Sequence, residues 1–171
     1  ADDNGMTREM LNQGLSRMED VEVVGLAVNG QEAVEYIRRY QPDVLILDEP
    51  TAGLDPKGRD EILDQIAKLK KETGITVILV SHSMDDVAKY VDRIIVMNKG
   101  RVKFDDAPKE VFKHYDELEE IGLAAPQVTY IMKKLRASGY DVSDEPTTIE
   151  EAKTEIIKYF NKNNYFRKDR V

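Results

Sequence analysis

The sequence predicts an α/β protein, a three-layer sandwich with a mainly parallel sheet between helices and an appended C-terminal helical extension. Short β-rich runs alternate with amphipathic helical stripes up to about residue 106, a pattern typical of parallel strands joined by helical crossovers. From about Ala107 onward the pattern contains helices only. We therefore divide the chain into an α/β domain over residues 1–106, a helical extension over 107–160 and a polar tail over 161–171, which we expect to be disordered.

Each element of the first domain follows from its own signal. Apolar residues at helical spacing predict helices around 10–18, 33–37 and 62–69, and β-rich runs predict strands at 21–28, 43–48, 75–80 and 93–97. Pro56 suits the first turn of a helix, and Gly74 suits the end of that helix. The segment "NKG", residues 98–100, predicts a turn into a last strand.

Composition excludes several classes of function. The net charge of -8 disfavours nucleic acid as a partner. The absence of cysteine excludes disulfides and thiolate chemistry and is compatible with a reducing compartment. No apolar run approaches the roughly 18 residues of a membrane span. We expect a cytoplasmic protein with no nucleic-acid partner and no membrane insertion.

The segment "LILDEPTAGLDP", residues 45–56, places Asp48 and Glu49 at the end of a buried strand. It resembles the Walker B strand, catalytic glutamate and D-loop of ATP-binding-cassette ATPases, and "VILVSHSMDDV" resembles the H-loop that follows. The likeness covers residues 44–160 and is strongest to the ATPases of energy-coupling-factor importers. It implies that Asp48 polarises a Mg²⁺-bound water, Glu49 is the general base and His82 contacts the γ-phosphate.

Residues 1–48 resemble a different family, the response-regulator receiver domains. "ADDN" is similar to their acidic metal-binding turn, and residues 21–48 are similar to their second strand, second helix and third strand. This likeness implies a flavodoxin-like, receiver-like sheet, with Asp48 as the phosphoacceptor and weak Mg²⁺ binding by Asp2, Asp3 and Asp48. It also makes Ser81 and Lys99 candidate switch residues.

Because two resemblances meet within one strand, the sequence is interpreted as an engineered or recombined chimera without intact ATPase activity, whose site residues are inherited remnants. The alternatives are a Mg²⁺-binding receiver-like phosphoacceptor and a residual ATP-binding subunit of an importer.

A phosphate-binding loop of the form G-x-x-x-x-G-K-[ST] does not occur in the sequence. The nearest spacings are Gly25 to Gly30 and Gly53 to Gly58, and neither is followed by the required lysine and hydroxyl. These glycines are interpreted as turn residues. We therefore expect no tight binding of ATP, and the general-base and γ-phosphate roles of Glu49 and His82 to be inactive in this chain.

The C-terminal helices carry apolar stripes around Ile131 and Ile156 that must be covered. In the importer ATPases that this region resembles, these helices contribute to subunit pairing. We expect them to form a homodimer or to pack back on the sheet.

Overall fold

The computed structural model describes residues 5–163, which contain eight helices and four strands. In chain order these elements are α1 (Gly5–Leu15), α2 (Gly30–Tyr40), β1 (Val44–Asp48), α3 (Pro56–Thr73), β2 (Thr76–Val80), α4 (Met84–Tyr90), β3 (Ile94–Asn98), β4 (Arg101–Asp106), α5 (Pro108–Lys113), α6 (Tyr115–Glu120), α7 (Gln127–Ala137) and α8 (Ile149–Lys162). The chain divides into two compact units, one ending at His82 and one beginning at Ser83. The domain limits predicted from the sequence, 1–106 and 107–160, stay predictions.

In the first unit, β1 and β2 pair in parallel, in register from Val44 opposite Thr76 to Asp48 opposite Val80. The strands predicted at 43–48 and 75–80 are therefore neighbours in one sheet. The apolar faces of α2 and α3 form the core of this unit together with Leu47, which is 1% exposed. The opposite face of the strand pair remains exposed at Val44, Ile78 and Val80.

The helices α2 and α3 begin and end at local signals in the sequence, whereas the helix predicted around 10–18 lies earlier, at Gly5–Leu15. The Asn29 side chain accepts a hydrogen bond from the Glu32 backbone N–H at 2.9 Å, which satisfies a free donor at the start of α2. Pro56 occupies the first turn of α3, and Gly74 ends that helix in the left-handed conformation with φ 74°. The predictions for Pro56 and Gly74 are confirmed.

The predicted strand at 21–28 does not form. Its apolar residues Val21, Val24 and Leu26 are exposed, and within the described residues none of its backbone groups joins a ladder of hydrogen bonds. An extended segment is stable as a strand only when a neighbouring strand satisfies its backbone groups. The sequence pattern predicted a strand here, whereas within residues 5–163 no neighbouring strand pairs with this segment.

The mixed α/β class is confirmed, but the three-layer sandwich with a mainly parallel, receiver-like sheet is not. The described residues form two separate two-stranded sheets, β1–β2 parallel and β3–β4 antiparallel. The strand at 93–97 therefore pairs with the next strand along the chain as a hairpin rather than extending the first sheet. Its turn, Lys99 and Gly100, has φ values of 50° and 74°, as tight two-residue hairpins require.

The glycines interpreted as turn residues divide into two kinds. Gly53 has φ 74° and is a turn residue, as predicted. Gly25 and Gly30 have no positive φ, and instead allow close packing: a Cβ on Gly30 would lie 2.7 Å from Cγ2 of Ile62 on α3.

The second unit contains two buried clusters. One joins α4, the β3–β4 hairpin, α5 and α6 around Phe112 and Leu118. The other joins α7 and α8 around Met132, Val142 and Ala152. Only helices follow β4 within the described residues, which confirms the helical character of the region after Ala107.

The predicted stripes on the last two helices are only partly buried. Met132 is 0% exposed, but Ile131 is 54% exposed and Ile149 is 73% exposed, because they lie away from the contact between α7 and α8. Residues 164–171 of the predicted disordered tail lie outside the described residues, and α8 continues to Lys162. No helix within residues 5–163 is both long enough and apolar enough to span a bilayer.

Candidate functional site

The candidate site lies at one edge of the first sheet, where β1 and β2 end side by side. Asp48 is the last residue of β1, and Glu49 follows it directly. Ser81 and His82 follow the end of β2. Because the two strands are parallel and in register, residues 33 positions apart in the chain emerge at the same edge. Ligands of parallel α/β sheets bind at this carboxyl edge.

Glu49 and His82 are in direct contact. The His82 backbone N–H donates a hydrogen bond to Oε1 of Glu49 at 2.8 Å, and Nδ1 of the same histidine lies 2.7 Å from that oxygen. The Glu49 side chain is 31% exposed and the His82 side chain is 86% exposed, so the pair opens to solvent through the imidazole. Oε2 of Glu49 has no hydrogen-bond partner among residues 5–163 and is available to a water molecule.

The backbone at Glu49 is in the left-handed region, with φ 43°. A non-glycine residue in this region costs on the order of 1–3 kcal/mol, and such residues cluster at functional sites. Two backbone hydrogen bonds hold it there: Glu49 N–H donates to the Val80 carbonyl at 2.9 Å, and Ala52 N–H donates to the Glu49 carbonyl at 3.0 Å. The strained backbone turns the carboxylate toward His82.

The loop after Glu49 leads tightly into α3. Thr51 is buried, Gly53 makes the turn, and the Asp55 side chain accepts a hydrogen bond from the Gly58 N–H at 2.8 Å to cap the helix. The aspartate of the segment "LDP" is therefore anchored to its own helix.

The remaining residues predicted from the sequence are not all brought to this edge. Ser81 lies next to His82, whereas Lys99 lies in the hairpin turn of the second unit. Asp2 and Asp3 lie outside the described residues. Within residues 5–163 no group of three histidine or acidic side chains forms a metal site.

Sequence reasoning named Glu49 and His82 separately but did not predict that they touch. A signal was present, because both residues follow predicted strands of a mainly parallel sheet, whose carboxyl ends lie at one edge. No pattern in the sequence indicated the left-handed backbone at Glu49, so the contact itself was not predicted.

Comparison with known proteins adds to this geometry. The chain is 56% identical over 129 residues to the energy-coupling factor transporter ATP-binding protein EcfA2 of Clostridium tetani, covering 75% of this chain and 45% of that protein. The EcfA2 protein of Clostridium perfringens is 54% identical over 132 residues, covering 77% and 46%. This similarity supports homology to the transporter ATPases for the C-terminal part of the chain. The chain spans less than half the length of these relatives.

Two further comparisons are broader. A family model described as "AAA domain, putative AbiEii toxin, Type IV TA system" matches residues 33–85, a range that contains both Glu49 and His82. The structure of cbiO1 from Clostridium perfringens, described as part of the ABC transporter complex cbiONQ, is 36% identical and covers 75% of this chain and 54% of that chain. Its TM-score of 0.47 is too low to support an argument from the superposition.

These comparisons correct two predictions. The interpretation as a chimeric scaffold or receiver phosphoacceptor is wrong, because relatives that match three quarters of the chain are transporter ATP-binding proteins. The expectation that ATP does not bind is also wrong in its premise, because it treated the absence of a phosphate loop as a property of the protein, whereas the named relatives are ATP-binding proteins. Asp48 is therefore no longer interpreted as a phosphoacceptor.

Proposed function

We propose that the chain is the water-activating part of an ATP-binding subunit of an energy-coupling factor transporter, acting at the cytoplasmic side of the membrane. The observation that carries this proposal is the contact between Glu49 and His82 at the end of two parallel strands, which resembles the catalytic glutamate and H-loop of such ATPases. The names of the relatives agree with this reaction class.

In this proposal Glu49 is the general base. Its Oε1 is occupied by two contacts with His82, so Oε2 is the atom that takes a proton from the attacking water. Contact between Nδ1 of His82 and Oε1 fixes the imidazole ring and turns Nε2 away from Glu49. Nε2 can donate to a phosphate oxygen only when both ring nitrogens carry a proton, so in this proposal the imidazole acts as an imidazolium toward the substrate. The imidazole thus both orients the base and contacts the substrate.

Mg²⁺ fits this site only together with the substrate. Asp48 supplies one carboxylate at the strand end, and the described residues offer no group of three ligands. Mg²⁺ is commonly held by one or two carboxylates, waters and the phosphates of the nucleotide. Asp48 would hold the ion, which would draw charge from the phosphate oxygens and acidify the water beside Glu49.

The loop that binds the phosphates is absent from these 171 residues. Because the relatives are more than twice as long as the part they share with this chain, we propose that this loop is supplied by sequence outside these residues.

A graft tests the proposal. Residues 44–163 of this chain would replace the matching part of the Clostridium tetani protein, and hydrolysis and binding of MgATP would be measured. We expect Glu49→Gln to lower kcat by about 10²–10⁴, the usual contribution of a general base, while the Kd for MgATP stays the same. His82→Ala should also lower kcat.

The matched control is Glu61→Gln, which changes an exposed glutamate on α3 that pairs with Lys57 at 3.6 Å. It should leave kcat unchanged. A graft whose Glu49→Gln variant hydrolyses ATP at the rate of the unsubstituted graft would refute the role of Glu49.

We further propose that the exposed face of α7 and α8 pairs with a second copy of the chain. The exposed apolar residues Ile131, Ile149 and Ile157 lie on these two helices. If this is correct, sedimentation should show a dimer that dissociates on dilution, and Ile131→Asp should shift the equilibrium toward the monomer. An unchanged monomer mass at all concentrations would exclude this pairing.

A further inference from the structure

The second unit contains a cavity far along the chain from Glu49 and His82. It has a volume of about 220 Å³ and lies between α5, α7 and the segment that leads into α8. Pockets for drug-sized ligands span roughly 300–1,000 Å³, so this cavity suits a smaller molecule.

The floor of the cavity is built from side chains that are almost completely buried. Phe112 is 2% exposed, Thr129 is 3% exposed and Thr147 is 5% exposed. The hydrogen bond from the Thr147 hydroxyl to Oε2 of Glu151 is long, at 3.4 Å. The same oxygen accepts the Thr147 backbone N–H at 3.0 Å. The hydroxyl can therefore turn toward a ligand while Glu151 keeps its stronger hydrogen bond.

Three lysines line the cavity, although the chain as a whole is strongly acidic. Lys109 and Lys113 each contact one carboxylate, Glu151 and Glu110 respectively, at 2.7 Å. Both lysine side chains are more than one third exposed, and exposed ion pairs contribute little to stability. Exchanging one carboxylate for another anion therefore costs little.

Lys133 differs from the other two lysines. Its Nζ lies 3.3 Å from the centre of the Tyr115 ring and forms no ion pair with any carboxylate in the part of the chain that the structure describes. A cation over an aromatic face keeps its charge, and its remaining N–H groups can donate to an anion.

Two carboxylates also line the cavity. Asp144 is paired with Arg136, outside the lining, and Lys109 and Lys113 are paired with Glu151 and Glu110, so Lys133 and Glu145 are the lining charges without an ion pair among residues 5–163. A bound anion would therefore contact Lys133 directly and replace the carboxylates that pair with the other two lysines. Lysine ammonium groups bind phosphate as point charges with several donors.

We propose that this cavity binds a small ligand that carries a phosphate group, with Lys133 as its principal contact and Lys109 and Lys113 as its flanking cations. Phe112 forms an apolar floor that accepts a short carbon chain. The site is separate from the proposed ATP-hydrolysing residues and does not depend on them.

The experiment uses the chain as it is and two probes, inorganic phosphate and glycerol 3-phosphate. Isothermal titration should show one saturable site for each probe, and glycerol 3-phosphate should bind at least as tightly because its carbon chain contacts Phe112. Lys133→Met should weaken binding about ten- to hundredfold, the loss expected for one charge-assisted hydrogen bond.

The matched control is Lys134→Met, one residue along the same helix and outside the lining. It removes the same net charge but no group that lines the cavity, so it should leave binding unchanged. Lys133→Arg should retain most of the affinity, which separates a charge effect from a loss of folding. A Glu49→Gln, His82→Ala double variant should bind both probes as the unsubstituted chain does.

Three outcomes would overturn the proposal. They are the absence of a saturable site, an equal loss in the Lys133→Met and Lys134→Met variants, and a heat of binding that sodium chloride at the same ionic strength reproduces. Loss of binding in the Glu49→Gln, His82→Ala variant would place the phosphate at the other site and would also overturn it.

Discussion

The two units of the chain divide chemistry and packing between them. The unit that ends at His82 carries Glu49 and His82, yet one face of its strand pair is exposed and no residue of α1 is buried. The unit that begins at Ser83 has two buried clusters, although Ile95, Met97 and Val102 of its hairpin are exposed. The candidate catalytic contact therefore lies in the less completely packed unit.

The difference shows what holds a site in place. The contact between Glu49 and His82 depends on the register of two short strands and on two backbone hydrogen bonds at Glu49, not on a large core. The cavity of the second unit depends on the packing of helices around Phe112 and Thr129. The same change in packing should therefore affect the two units differently.

The largest expected effect tests the packing of the second unit. Phe112→Ala should lower the free energy of unfolding by about 3–5 kcal/mol, because it removes a buried aromatic ring and leaves a cavity. Met10→Ala on α1 should change it by no more than about 0.5 kcal/mol, because Met10 is 67% exposed. Urea denaturation of the two variants measures both values. Similar losses would mean that α1 is covered in solution.

Helix caps provide a smaller effect that should be equal in the two units. Asn29 caps α2 by accepting the Glu32 N–H at 2.9 Å, and Thr148 caps α8 by accepting the Glu151 N–H at 3.3 Å. Replacing either residue by alanine should cost about 1 kcal/mol. A loss at Asn29 that is well below the loss at Thr148, measured by thermal melting, would show that the helices of the first unit are already frayed.

The smallest effect concerns acid. Burial raises the pKa of Glu151, but the Lys109 ammonium and the Thr147 backbone N–H lower it by more. The pKa of this carboxyl therefore lies below its ordinary value. The stabilisation is then complete above the carboxyl pKa of the unfolded chain, about 4.3, and is lost as the pH falls through the lower folded value. Its size should not exceed about 1 kcal/mol.

Thermal melts between about pH 7 and pH 3 test this dependence. Glu151→Gln should lower the Tm at neutral pH, and the difference from the unsubstituted chain should shrink as the pH falls. The neighbouring Glu150→Gln should show no such convergence. A difference that grows toward acid would contradict the assigned direction of the pKa shift.

Local features of the sequence predicted much of the structure. Helical spacing located α2 and α3, Pro56 and Gly74 marked the ends of α3, and the segment at 98–100 predicted the hairpin turn. These features depend on residues a few positions apart, so they form largely independently of the tertiary structure. The strand motif at 45–56 likewise located Glu49 at a strand end.

Other features were decided by tertiary structure. The β-rich run at 21–28 indicated a strand, but no strand among the described residues pairs with it, and the segment has no regular secondary structure. The pairing of the last two strands as a separate hairpin likewise ended the predicted continuous sheet. A sequence pattern reports which side of a segment is apolar, whereas a sheet exists only where two segments satisfy each other's hydrogen bonds.

The sequence by itself therefore determined the positions of α2 and α3, the two ends of α3 and the identities of the candidate catalytic residues. Tertiary structure alone decided that the backbone nitrogen and Nδ1 of His82 both lie within hydrogen-bond distance of Oε1 of Glu49, and that lysines from α5 and α7 line one cavity. The physical reason is distance along the chain: residues 33 positions apart meet only when the register of two strands is set. Periodicity within one element carries no information about that register.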